Sequence, residues 1–209
     1  FDVPYDHPLV DKEGLYLQSA HGLPMIGGHI ARETPLDPAK GTLLQNTLDP
    51  ALLDQAGVDV IVLHRQWDDA QGELEQRLIA RFGAPRDQDE QFAVFIVPDY
   101  EGESAGALWH VNETENGGAR VSVYVPEAAQ ALLSGRLDAG SARGATVSLN
   151  GVPMITWAIA GVTDESIALG IPAGYSTIEI APDPACEVPP APLMCRIFHL
   201  HDLTMEFTP

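Results

Sequence analysis

The chain has 209 residues, 45% hydrophobic and 20% charged, the composition of a folded globular protein and not of a disordered one. Its 30 acidic side chains against 11 basic ones give a formal net charge of −19, shared by both halves. Such a surface repels phosphate backbones and anionic lipid, which excludes nucleic acid as a partner.

No apolar run reaches the roughly 18–20 residues that a membrane-spanning helix needs. The sequence opens on Phe1, with no initiator methionine, basic leader or apolar signal segment, so a piece of a longer polypeptide or a processed product is expected. In VDKEGLYLQSAHGLP, Asp11 can cap a short helix, Gly22 can close it, and Pro24 bars its continuation. MIGGHIAR then reads as a short extended segment. Asp49 as cap, Pro50 at the first helical position and Gly57 as the stop frame a helix over ALLDQA. VDVIVLH, residues 58–64, is nearly continuous in β-branched side chains, as in a strand covered on both faces. ELEQRLIARFG puts Leu74, Leu78, Ile79 and Phe82 on one helical face and ends at Gly83. FAVFIV, residues 92–97, is a second buried strand, and strand, helix, strand at this spacing predicts a right-handed βαβ unit.

The helical rhythm stops at residues 99–106, DYEGESAG, a polar linker. ALWHV, RVSVYV, ATVSLNGVPMITWAI, SIALGI, YSTIEIA, CRIFHL and DLTMEF then read as short strands, with Asn150-Gly151 as a two-residue hairpin turn. PEAAQALLSG reads as one helical insert among them. The expected fold class is α+β in two domains: a small α/β domain over residues 1–98 and a β-sandwich over residues 107–209.

No strong enzyme motif is present. IGGH lacks the dinucleotide-binding spacing, and the chain has no phosphate-binding loop, hydrolase elbow or H-E-x-x-H pair. His21, His29 and His64 could converge on a metal with Asp68 or Asp69. The alternative makes His21 a helix-terminal residue favoured by the dipole and His29 a hydrogen-bonded strand residue. We read His21, His29, Arg32 and His64 as turn or rim residues, with no metal and no cofactor. The loop acids Asp87, Asp89 and Glu90 read as solvated, and His199 and His201 share one side of a strand. Trp109, Trp157 and Tyr175, with Asn112, offer aromatic faces and an amide for a sugar ring; buried strand positions are the alternative for the tryptophans.

DKEGLYLQSAHGLPMIGGHIAR, DPALLDQAGVDVIVLHRQ and DEQFAVFIV together resemble the C-terminal soluble part of polytopic bacterial membrane proteins of the dolichyl-phosphate-mannose mannosyltransferase class. In that class a Y-x-Q-[ST]-x-H-G-x-P-[IL]-x-G-G segment and a G-V-x-[VY]-[IV]-V-L-H strand follow the last membrane helix, and only Met25 departs from the first pattern here. The resemblance covers residues 1–98. It implies an extracytoplasmic location, attachment to an N-terminal transmembrane region of the same polypeptide, and a lipid-linked sugar or glycan as partner. The catalytic acid of that class lies in a membrane-proximal loop that nothing in this chain matches. SLNGVPMITWAI, IALGIPAGYSTIEIA and CRIFHLHDLTMEF are similar to galactose-binding-like jelly rolls, a fold that does not by itself grant sugar binding. The leading expectation is a non-catalytic domain pair that binds or orients a glycan or envelope partner. A sugar-active hydrolase or transferase, and a purely structural interaction domain, are the alternatives.

Cys186 and Cys195 are separated by eight residues, three of them prolines. A bridge, two buried thiols and half of a metal site are all open to such a pair; the bridge is the reading we adopt, and it points to an oxidising compartment. Closing so short and stiff a loop would pin it more than it would stabilise the fold. Intact mass with and without reductant should show alkylation only after reduction; two thiols alkylated without reductant in air-oxidised protein would refute the bridge.

Overall fold

The computed structural model describes residues 1–5, 7, 9–10, 37–68, 71–114, 118–138, 144–183 and 199–208. Asp11, His21, Gly22, Pro24, His29, Arg32, Asp69, Cys186 and Cys195, all singled out above, lie outside the described residues. The chain divides into two compact units, Phe1–Ala105 and Gly106–Pro209. Among the described residues, no helix is long and apolar enough to cross a membrane.

In the first unit, β1 (Asp2–Val3) runs parallel to β2 (Val60–His64), and α1 (Asp37–Thr47), α2 (Pro50–Gln55) and α3 (Glu73–Phe82) accompany the sheet. The α2 cap is as expected: the Asp49 carboxylate accepts from the Leu52 amide at 3.0 Å, and Gly57 past the helix end has φ of 70°. The helix α1 was not anticipated, since Pro38, Gly41 and two threonines weaken its helical signal. Packing overrides that weakness: Ala39, Leu43 and Leu44 are fully buried. Gly41 is required there, because a Cβ would lie 2.1 Å from the Tyr5 ring. At the end of α1, Arg77 donates to the carbonyls of Gln45 and Asn46, and Arg81 donates to that of Leu48. These two α3 arginines satisfy carbonyls that a helix terminus leaves open.

The expected βαβ unit needs correction. β4 (Phe92–Ile96) pairs antiparallel with β2, with Val62 opposite Val94. The strand after α3 that runs in the direction of β2 is the two-residue β3 (Asp87–Gln88), which pairs antiparallel with β4, giving the order β1-β2-β4-β3. A helical crossover thus does join two parallel strands, but β4 returns between them. Asp89 drives the reversal: its carboxylate accepts from the amides of Gln91 (2.7 Å) and Phe92 (2.8 Å). Those bonds, Phe92's first, hold the Asp89 carboxyl below the usual carboxylate range. So this loop acid is a turn-former and not merely solvated. Neither is β2 covered on both faces: Ile61 and Leu63 are buried, while Val60 and Val62 are only half so. On α3, Leu74 and Leu78 are buried, but Ile79 is exposed.

The second unit is a β-sandwich. One sheet has the order β10-β7-β12 and the other β5-β6-β11-β8-β9. Their ranges are β5 (Leu108–Glu113), β6 (Ala119–Val125), β7 (Ala129–Asp138), β8 (Gly144–Leu149), β9 (Val152–Ala158), β10 (Val162–Ile171), β11 (Gly174–Asp183) and β12 (His199–Thr208). Val121, Val123, Val147, Ile178 and Ile180 of the larger sheet and Leu133, Leu137, Leu169 and Met205 of the smaller one belong to one buried cluster. Asn150 (φ 50°) and Gly151 (φ 78°) form the predicted hairpin turn between β8 and β9. Asn150 also ties it to β11, its side-chain oxygen accepting from the Thr177 amide at 2.8 Å.

The helical insert expected over PEAAQALLSG is instead the start of β7, the central strand of the smaller sheet. Ala, Gln and Leu favour a helix in isolation, but pairing with β10 on one side and β12 on the other decides the outcome. Ala131, Leu133 and Leu137 face the core at strand spacing. The two closing segments also merge, since β12 runs through His199-Leu200 into DLTMEF with a bulge between them.

In the stretch expected as a linker, residues 99–106, Asp99 to Ser104 are exposed and lie in no helix or strand, while Ala105 is buried. Limited proteolysis should nick this stretch first, leaving two stable fragments. Stable fragments that cross it would show that the halves fold as one.

Candidate functional site

On the smaller sheet of the second unit lies an open groove of about 450 Å³. Three neighbouring strands build it. β7 contributes Ser134, Gly135 and Arg136; β10 contributes Asp164, Glu165 and Ser166; and β12 contributes Asp202. Strand register explains the convergence, since Ser134 pairs with Ser166, Gly135 with Glu165, and Arg136 with Asp164. Ser134 and Arg136 alternate with the core residues Leu133 and Leu137, and so stand on the outer face. Glu165 follows the other alternation: it shares the parity of Leu169 and Ile171, which are buried, and is itself half-buried.

The bulge in β12 shapes one side of the groove. His201 pairs with Arg136 and Thr204 with Ser134, so Asp202 and Leu203 together oppose Gly135 alone. A Cβ on Gly135 would lie 3.0 Å from Leu203 and 3.1 Å from Leu200, so both leucines stand over the one position without a side chain. Accommodating them puts Asp202 into the left-handed region, φ 52°, with an exposed carboxylate at the groove. Among the described residues, the side chains of Ser134, Arg136, Asp164, Glu165, Ser166 and Asp202 engage in no hydrogen bond or ion pair. Ser134, Arg136, Asp164 and Ser166 thus share the outer face of the sheet, two hydroxyls, a guanidinium and a carboxylate with their bonding capacity open, and Asp202 adds an exposed carboxylate at the bulge.

The residues expected from sequence to contact a sugar lie elsewhere. Trp157 is 4% exposed and belongs to the inter-sheet core, the alternative considered for it. Trp109 is half-buried, pairs with Val123 and packs on the same core. Asn112 is exposed but pairs with Arg120, so it projects from the face of β5 opposite to Trp109. Tyr175 packs 5.1 Å from Tyr124, and burial, then that neighbour, push its phenol up to about 12. These four side chains therefore do not form one site.

In the first unit His64 is fully buried, its Nε2 2.9 Å from the Asp2 carboxylate and its ring edge-on to Phe92. It fastens β1 to the end of β2 and is not on a rim. Arg65 beside it grips Glu75 (3.1 Å from Nε) and Gln88 (2.6 Å), and donates to the Asp89 carbonyl. That fork fastens α3 to the β3–β4 turn. Among the described residues, no group of three His, Cys, Asp or Glu side chains is placed to hold a metal ion.

Alternation could have flagged the groove in the sequence, because SGR in β7 and DES in β10 are polar interruptions of apolar strands. Their register, and hence their meeting, is not written there. The bulge carries one faint signal, His-Asp at the centre of an otherwise alternating segment.

No family model matches the chain, and no curated protein is similar to it in sequence. Solved structures show a distant likeness. A family 35 carbohydrate binding module from Clostridium thermocellum is 14% identical over 37% of this chain and 77% of that one, with a TM-score of 0.27. A family 35 module from an environmental isolate is 17% identical over 53% and 76%, TM-score 0.30. The module CBM6cm-2 from Cellvibrio mixtus lichenase 5A, solved with cellotriose, is 14% identical over 50% and 88%, TM-score 0.29. Values this low assign neither ligand nor activity to this chain.

A left-handed residue other than glycine costs on the order of 1 kcal/mol, less for aspartate than for most. Asp202→Gly should therefore raise stability by up to about 1 kcal/mol in urea melts while keeping the bulge. A variant less stable than the parent would show that the Asp202 side chain holds the bulge in place.

Proposed function

We propose that this chain is a non-catalytic glycan-binding region, extracytoplasmic and carried by a longer membrane-anchored polypeptide of the mannosyltransferase-like kind. The observation that carries the binding reading is the groove on the β10-β7-β12 sheet, where Ser134, Arg136, Asp164 and Ser166 share one face with Asp202 at its edge. Sugar hydroxyls donate and accept in close pairs. Carboxylates accept two bonds side by side, a guanidinium donates two, and serine hydroxyls do either. The volume, about 450 Å³, lies within the range of small-molecule sites. The membrane attachment rests on the sequence resemblance over residues 1–98, and a lipid-linked sugar held near the transmembrane region of the same polypeptide is the corresponding ligand.

Because no aromatic side chain among the described residues lines the groove, a sugar held there gains little from stacking on them. Short oligosaccharides should bind with dissociation constants around the millimolar range. A glycan array followed by NMR titration tests this. Arg136→Ala should weaken binding about 10-fold, the weight of one charged hydrogen bond, and Trp109→Phe should leave it unchanged. Binding that survives Arg136→Ala combined with Asp164→Ala would move the site off this sheet.

A further inference from the structure

We propose that Asn150 is a modification site: its carboxamide is lost as ammonia through a cyclic imide with Gly151, and the isoaspartyl product unties the β8–β9 hairpin from β11. The inference is independent of the groove and of any ligand. Asn150 (φ 50°) and Gly151 (φ 78°) are the two residues of the turn. Gly151 is exposed, and among the described residues nothing lies within 4 Å of the place a Cβ would take. No side chain of its own therefore shields the Gly151 nitrogen, the atom that attacks the Asn150 Cγ. In that step the N–Cγ bond forms, the Cγ–Nδ2 bond breaks, and Nδ2 leaves as ammonia with the proton from the Gly151 nitrogen. Water then opens the imide at one carbonyl or the other, leaving aspartate or isoaspartate at position 150.

The fold decides how fast this happens and what it does. Three bonds fasten Asn150 to β11. Its amide donates to the Thr177 carbonyl (2.8 Å), its Oδ1 accepts from the Thr177 amide (2.8 Å), and its Nδ2 donates to the fully buried Ser176 hydroxyl (3.3 Å). The carboxamide has to leave both side-chain bonds before Cγ can turn toward Gly151, so the folded chain reacts only when the turn opens. The two products differ in what they keep. Aspartate retains the backbone and tolerates the left-handed region, and its carboxylate accepts from the Thr177 amide and from the Ser176 hydroxyl, which turns from acceptor to donor. Isoaspartate routes the backbone through Cβ and Cγ, lengthening a turn whose two residues match the twist of the strands. That misfit falls on β9, the edge strand, whose neighbour in the sheet is β8. β9 supplies Trp157 to the core, 4% exposed and opposite Ala145. A longer turn therefore loosens a core tryptophan along with the edge.

The whole chain, incubated at mildly alkaline pH with and without denaturing urea, tests the proposal. Peptide mapping locates the change at Asn150, and methylation by an isoaspartyl methyltransferase separates isoaspartate from aspartate. Conversion should be at least about 10-fold faster in urea than in the folded chain. Ser176→Ala removes one bond to the carboxamide and should speed conversion of the folded chain about 3-fold, the weight of one neutral hydrogen bond. Should that variant not fold, urea below the global transition takes its place, and conversion should rise there as the turn opens locally. Asn150→Asp should keep the parent's urea midpoint. The isoaspartyl fraction should melt earlier, with faster amide exchange along β9 and altered tryptophan fluorescence. No conversion in urea would overturn the modification site. Equal rates in folded and unfolded chain would overturn the protection by β11. An Asn150→Asp variant as unstable as the isoaspartyl form would make the added charge the cause, and the lengthened turn would no longer explain the loss.

Discussion

Consecutive residues of a strand project to opposite faces, and the second unit is built around one strand that uses both. On one face of β7, Ala131, Leu133 and Leu137 are buried in the inter-sheet cluster; on the other, Ser134 and Arg136 line the groove. Being central, β7 also fixes both neighbours: a slip of one residue against β10 would exchange Leu169 and Ile171 for Ala168 and Gly170 in the core. Burying a leucine contributes about 1.5–3 kcal/mol, so the cost of such a slip is large. The same register sets Arg136 opposite Asp164 and Gly135 opposite Glu165. Core packing thereby determines which polar groups meet at the surface.

The sequence discloses the parts of this arrangement that depend on local chemistry. Asp49-Pro50 with Gly57, the helix ending at Gly83, the Asn150-Gly151 turn and most of the alternating strands are visible because a cap, a left-handed glycine or a period of two acts within a few residues. What depends on distant partners is hidden. AQALLSG has helix-forming residues and becomes a strand only because β10 and β12 flank it. FAVFIV is legible as a strand, but its direction is set by the Asp89 turn, and β3 is too short to leave a pattern. α1 is weak as a helix and exists through its buried leucines and the arginines that α3 brings to its end.

The candidate sites divide along the same line. Aromatic side chains attract attention in a sequence because they stack on sugars, yet burial competes for the same residues, and in Trp157 it prevails. His64, at a strand end, reads as a rim residue; Asp2, 62 positions earlier, supplies the carboxylate that holds it in the interior. The groove escaped notice because serine, glycine, arginine, aspartate and glutamate are ordinary surface residues until three strands bring them together.

The bulge links groove and core more tightly than register alone would. Leu200 and Leu203 both need space over the sheet, and Gly135 provides it only if β12 carries one residue more than β7 at that point. The extra residue makes a left-handed turn of the backbone, and that turn exposes Asp202. A larger side chain at position 135 would have to displace the ends of both leucines. Glu165, paired with that same glycine, shares its core-side parity, so the face that admits the leucines and the face that carries Ser134, Arg136, Asp164 and Ser166 are opposite faces of the same three strands. One residue without a side chain therefore lets the bulge form on the core side, and the bulge in turn sets the Asp202 carboxylate at the groove.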